Sequence, residues 1–160
     1  MKAARYIVCV VAMLWMLGRP TLASAQTTAT VSIPAGVSFV VPDVSQSVSG
    51  TPGPFRVVFS TTGMKGSQDF YVSVKADTAS FAGPGTTHIP ASKVSWTSTP
   101  VGRGTGSAGT LSSAAYSPVY QTSTNKSGAF DMTWTLASIA AAGLRSGTHT
   151  LTVRWRLEAF

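Results

Sequence analysis

Few side chains in this sequence can do acid–base, nucleophilic or metal chemistry. Past residue 25 they are Asp43, Asp69, Asp77, Asp131, Glu158, His88 and His149, and the only cysteine is Cys9. There is no G-x-S-x-G elbow to raise a nucleophilic serine. A glycosidase-type site needs two carboxyl groups facing one bond, and here they would have to come from aspartates far apart in sequence. Asp69 and Asp77 flank a single alternating segment, about 26 Å apart at 3.3 Å per residue, so they cannot share a calcium ion. The two histidines lack the short spacing of zinc ligands. His149 prolongs the inward face of the last alternating segment and reads as a core or rim histidine, whereas His88 sits in a solvated Gly-Thr-rich loop. The run from Gly104 to Gly109 satisfies G-x-G-x-x-G, but the dinucleotide fingerprint also needs a buried strand before it, a helix after it and an acidic residue about 20 positions on. None is evident, so a flexible loop is expected. This inventory predicts no enzyme, no catalytic residue, no metal and no cofactor.

Residues 1–25 have the pattern of an export leader. Lys2 and Arg5 precede an apolar run from Ile7 to Leu17, and Ala23-Ser24-Ala25 is a small-x-small cleavage site, which predicts a mature chain beginning at Gln26. The run is shorter than the roughly 20 apolar residues of a membrane-spanning helix. The 135 residues that remain suit one domain. Cys9 lies within the leader, so neither disulfides nor thiolate metal sites are expected to brace the mature chain. Loss of Lys2, Arg5 and Arg19 lowers the formal charge from +7 to +4, with nine Lys and Arg against five Asp and Glu. Dispersed positive charge of that size reads as solubility, and no nucleic-acid partner is expected. Asn125-Lys126-Ser127 is a glycosylation sequon, meaningful only in a eukaryotic source.

The elements are strands. From His149 the side chains alternate, Leu151, Val153, Trp155, Leu157 and Ala159 against Thr150, Thr152, Arg154, Arg156 and Glu158, a period of two that predicts one row packed between two layers and one row in solvent. The same period runs through Phe130, Met132, Trp134 and Leu136, through Phe55, Val57 and Phe59, and through Phe70, Val72, Val74 and Ala76, the last two segments being expected to form a hairpin. Ala29, Val31 and Ile33 form a first strand that Pro34 and Gly36 interrupt and Val37 to Val41 resumes. Residues 43–54 read as loop, 93–97 as a short strand, 110–124 as one or two strands with Pro118 at a sheet edge, and Ser138 to Ala142 as one helical turn stopped by Gly143. Seven to nine short strands separated by Gly, Pro, Ser and Thr predict an all-β, antiparallel two-sheet sandwich of immunoglobulin-like dimensions, a single domain over residues 26–160, with a small closed barrel as the alternative. A lipid-facing barrel is excluded, because the face carrying Phe160 also carries Arg154 and Arg156, each costing about 2–4 kcal/mol at the bilayer midplane.

Three segments place an apolar residue two before a tryptophan: Val94 and Trp96, Met132 and Trp134, Val153 and Trp155. On shared inward faces these indoles are expected to cluster in the core. An exposed Trp96 beside Tyr116 and Tyr120 would instead give a carbohydrate-binding module that stacks polysaccharide on aromatic rings.

The ending from Gly143 to Val153, with its glycines and closing alternating strand, resembles the close of bacterial pilin-type subunits, and the early alternation of Ala29, Val31 and Ile33 is similar in layout. His149 stands where such subunits usually carry tyrosine, and the disulfide many of them contain has no counterpart in the mature chain. The resemblance implies an immunoglobulin-like sandwich that assembles by strand addition, with Thr28, Ala29, Val31 and Ile33 completing a neighbour's sheet. The expected role is thus a secreted structural or adhesive subunit in the periplasm or at the cell surface. Its partners would be other protein subunits, including copies of itself.

Overall fold

The computed structural model describes residues 28–123, 127–139 and 143–160. The leader with Cys9, the sequon residues Asn125 and Lys126, and positions 140–142 of the expected helical turn lie outside the described residues. Ten strands are present among the described residues: β1 (Thr28–Ser32), β2 (Val48–Ser49), β3 (Phe55–Thr62), β4 (Asp69–Ala76), β5 (Val94–Val101), β6 (Thr105–Gly106), β7 (Gly109–Thr110), β8 (Ser117–Ser123), β9 (Ser127–Leu136) and β10 (Val153–Ala159). They form two antiparallel sheets packed face to face, the all-β sandwich that the alternation predicts. The first runs β1-β3-β9-β5-β7, with β2 also paired to β9, and the second runs β10-β4-β8-β6.

Each long strand buries the row its sequence marks. Val57 and Phe59 of β3, Phe70, Val72, Val74 and Ala76 of β4, and Phe130 and Met132 of β9 are removed from water almost completely. Their rings fix which strand lies over which. Phe59 stacks on Phe70 at 4.8 Å, so β3 covers β4, and Tyr120 packs on Phe59 at 5.4 Å and on Phe130 at 4.9 Å, so β8 lies across β3 and β9. The order β1-β3-β9-β5 reproduces the A-B-E-D sheet of an immunoglobulin domain, and β10 beside β4 reproduces the F-C pair.

Several expectations are changed by the structure. β3 and β4 do not form a hairpin: they belong to opposite sheets, and residues 63–68 carry the chain across the core. A period of two fixes the face of a strand but not its partner. The crossing is closed by Met64, buried and hydrogen-bonded at sulfur by the Thr61 hydroxyl, and Gly63 adopts the positive φ the turn requires. Residues 37–41 do not resume the first strand, since Ser38 makes only an isolated bridge to Thr51, while the expected loop at 43–54 contributes β2. β8 is not an edge strand as a whole, since it lies between β4 and β6, but Pro118 has the edge position expected of it: β6 pairs only with Tyr120 and Gln121, and Pro118 sits beyond it at a bulge opposite Val72 and Ser73. The 93–97 strand extends to Val101.

Phe59 touches both Phe70 and Tyr120, so Phe59→Ala is expected to destabilise the fold by about 3–5 kcal/mol in denaturant unfolding. Its neighbour Val58 faces outward and is 48% exposed; Val58→Ala should stay within about 0.5 kcal/mol of the parent.

Candidate functional site

The rings that place β3 over β4 also place β1, beyond β3, and β10, beyond β4, on one flank of the sandwich. Among the described residues both strands have a strand neighbour on one side only. In an immunoglobulin domain the place outside the F strand belongs to strand G; among the described residues nothing occupies it.

Burial changes sharply across one strand spacing at this flank. β10 pairs with β4 in the register Val153↔Ala76, Trp155↔Val74, Leu157↔Val72 and Ala159↔Phe70, so each pair points to the same face. The β4 members are buried to within 1% of completely, whereas all four β10 members are only half-buried. The alternation is as the sequence predicts, with Thr152, Arg154 and Arg156 in solvent. The inward row packs against the core, but it is not enclosed between two layers, because the first sheet narrows at β1. There Ala29 is exposed, Val31 half-buried and Ile33 36% exposed.

At one end of this flank, where β1 has ended and β10 begins, lies a largely apolar groove of about 1030 Å³. Val153, Trp155 and residues 144–152 form one wall, residues 33–39 with Val41 and Val44 the other, and Phe55, Trp134 and Leu136 its floor. His149 stands at its rim. Its Nε2–H donates to the Arg145 carbonyl at 3.0 Å, its Nδ1 is buried without a hydrogen-bond partner, and its ring lies so close to Gly83 that a Cβ there would overlap it. His88 is exposed in its loop, as expected.

The proposed aromatic platform does not form. Trp96 and Tyr120 are 2% and 1% exposed, so neither offers a face to a sugar ring. Trp96 packs edge-on against Trp134 at 5.6 Å and is closed over by Gly109, where a Cβ would stand 2.5 Å from the indole. Tyr120 donates its hydroxyl hydrogen to the Arg103 carbonyl, and burial pushes that hydroxyl above the usual tyrosine range. Only Tyr116 remains at the surface, with the Arg156 guanidinium over its ring at 4.3 Å. Trp155 belongs to the groove wall. Thus two of the three expected indoles meet in the core.

The glycine-rich run is no flexible loop. β6 pairs with β8 in the second sheet and β7 with β5 in the first, so residues 107–108 cross between sheets. A Cβ on Gly106 would overlap the Ser98 backbone, and one on Gly104 the Tyr120 hydroxyl. Glycine is needed there because backbone and rings pack against the chain. The paired neighbours were the missing signal, and the sequence of the run alone does not contain them.

The acids are spread over the outer faces. Arg56 grips Asp131 with two hydrogen bonds of 2.9 and 3.1 Å, Arg154 contacts Asp77 at 2.6 Å, Arg156 contacts Glu158 at 2.9 Å, and Asp43 accepts from the Ser45 backbone and hydroxyl. Asp69 exchanges backbone hydrogen bonds with Phe160. Among the described residues no three His, Cys, Asp or Glu side chains gather as a metal site.

Hydrogen bonds from Arg56 and Arg154 hold Asp131 and Asp77 below the usual carboxylate range. A depressed folded value contributes stability above the unfolded value of about 3.9, and that stability is lost as pH falls through the folded one. The melting temperature should therefore decline below about pH 4, and less so in an Asp77→Asn/Asp131→Asn variant. Because both pairs are solvent-exposed, 1 M salt should flatten the difference. No protein-family model matches the chain, and neither a curated protein nor a solved structure is significantly similar to it.

Proposed function

We propose that the chain is an exported structural or adhesive subunit that acts by protein–protein contact, assembling by strand addition without turnover. In this reading residues Thr28 to Ile33 of one copy enter the vacant place beside β10 of another. The observation that carries it is the half-open row Val153, Trp155, Leu157 and Ala159, one strand spacing from the fully buried row of β4. An added strand would pair with the free edge of β10 and cover that row. Backbone hydrogen bonds would supply affinity, and side chains of alternate residues would supply register.

The donor is suggested by what its own fold leaves unused. Ala29 and Ile33 are exposed in place and Val31 is half-buried, although all three alternate as a buried strand would. β1 is held by its antiparallel pairing to β3 and by a hydroxyl contact between Thr28 and Thr62, with little apolar burial to resist departure. Open edges of this kind drive association unless they are covered. The expected leader supports placement in the periplasm or at the cell surface. A polysaccharide partner loses support with the burial of Trp96 and Tyr120.

Deleting residues 28–33 is expected to abolish oligomers on size-exclusion chromatography and to leave a monomer with the circular dichroism of a β-sandwich. Val31→Asp, which places a charge in the inserted row, should weaken assembly at least tenfold. Coincident elution profiles of full-length and truncated protein would refute strand exchange.

A further inference from the structure

The far wall of the groove is unlike the others. Residues 37–44 run along the mouth of the core without joining either sheet. Val37, Phe39 and Val41 dip inward and are half-buried, while Val40 between them is 77% exposed. Apart from the local turn in which Gln46 N–H donates to the Asp43 carbonyl, its backbone is fastened to other described segments at two places. Ser38 and Thr51 exchange hydrogen bonds of 2.9 and 2.8 Å, and Ile139 N–H donates to the Val44 carbonyl at 2.9 Å. The segment begins after Pro34-Ala35-Gly36, where Gly36 has open space around it, and ends in the turn capped by Asp43.

Its seat is shaped for it. Gly50, itself buried, donates its N–H to the Trp134 carbonyl at 2.8 Å, and a Cβ on Gly50 would overlap Val37 and stand 3.2 Å from the Phe39 ring. The side chains of Val37 and Phe39 thus lie in a notch left by a missing methyl group, directly above Trp134. This cover relies on a shape match and few backbone bonds, whereas the strands around it are held by continuous ladders. Local opening is drawn from such weakly bonded segments.

We propose that residues 37–44 are a displaceable strap that forms one wall of the groove and covers its floor in the free subunit, and that lifts as an incoming strand seats fully beside β10 and over its inward row. The proposal rests on the strand-addition reading for what enters, and on the packing at Gly50 for what must move. The strap keeps the groove's apolar floor from water until a partner displaces it, so assembly is gated by the cost of unseating Val37 and Phe39.

The test locks the strap reversibly. Ser38 and Thr51 form a hydrogen-bonded antiparallel pair, for which Cα atoms stand about 5.5 Å apart, within reach of a disulfide. The full chain carrying Cys9→Ser, Ser38→Cys and Thr51→Cys is compared oxidised and reduced, with two probes: a synthetic peptide of residues 28–33 and the apolar dye 1-anilinonaphthalene-8-sulfonate. Oxidation is expected to weaken peptide binding and dye uptake at least tenfold, with both restored by reductant. A companion variant, Gly50→Val, wedges the notch and should raise dye uptake above that of the parent. Equal peptide binding in the two redox states would overturn the strap while supporting strand addition. If neither state binds peptide but dye uptake still follows the redox state, the strap stands and the choice of donor falls. Dye uptake unchanged by oxidation, without peptide binding, overturns both.

Discussion

The chain of rings from Phe70 through Phe59 and Tyr120 to Phe130 is the constraint on which the rest of the architecture depends. Successive centroids lie 4.8, 5.4 and 4.9 Å apart, and they alternate between the two sheets. Such contacts fix alignment as well as contributing buried area, because offset and tilted rings have preferred geometries. Once β3 is held over β4, the outer strands of both sheets have no freedom of placement. β1 and β10 fall on one flank, β6 and β7 on the other.

Both flanks are short of one resource, and they compensate differently. At the β6–β7 flank, glycines let the chain pass close against Trp96 and Ser98, and the indole is sealed. At the β1–β10 flank no strand among the described residues lies beyond β10, and its inward row packs against the core yet stays half-buried. The outer faces add cross-strand ion pairs, Arg56 to Asp131 and Arg154 to Asp77. These are solvated and orient neighbouring strands without deciding the fold.

Much of the fold was legible in the sequence because Thr, Val and aromatic residues at strict alternation admit few other readings. The inward rows of β3, β4, β9 and β10 are those the alternation marks. Partner choice was not legible, since Phe55–Phe59 and Phe70–Ala76 carry the same period whether they lie side by side or face to face. Nor was depth. Nothing in Leu151–Leu157 distinguishes a central strand from an edge strand, and the difference rests on how far the opposite sheet extends. The candidate donor Thr28–Ile33 was visible as an alternating segment. The groove it would fill is a property of two edges distant in sequence, and the notch at Gly50 depends on the approach of Val37 from a segment read as strand.

The crossing at Ser107–Ala108 joins the two layers by a few covalent bonds at the side remote from the groove. A second crossing, residues 63–68 from β3 to β4, ties the layers on the side of β1 and β10. Backbone therefore stitches the two sheets together on both sides of the ring chain. Tension applied between two such molecules through an inserted strand would load a ladder of hydrogen bonds in shear, the direction in which they fail together, not one at a time.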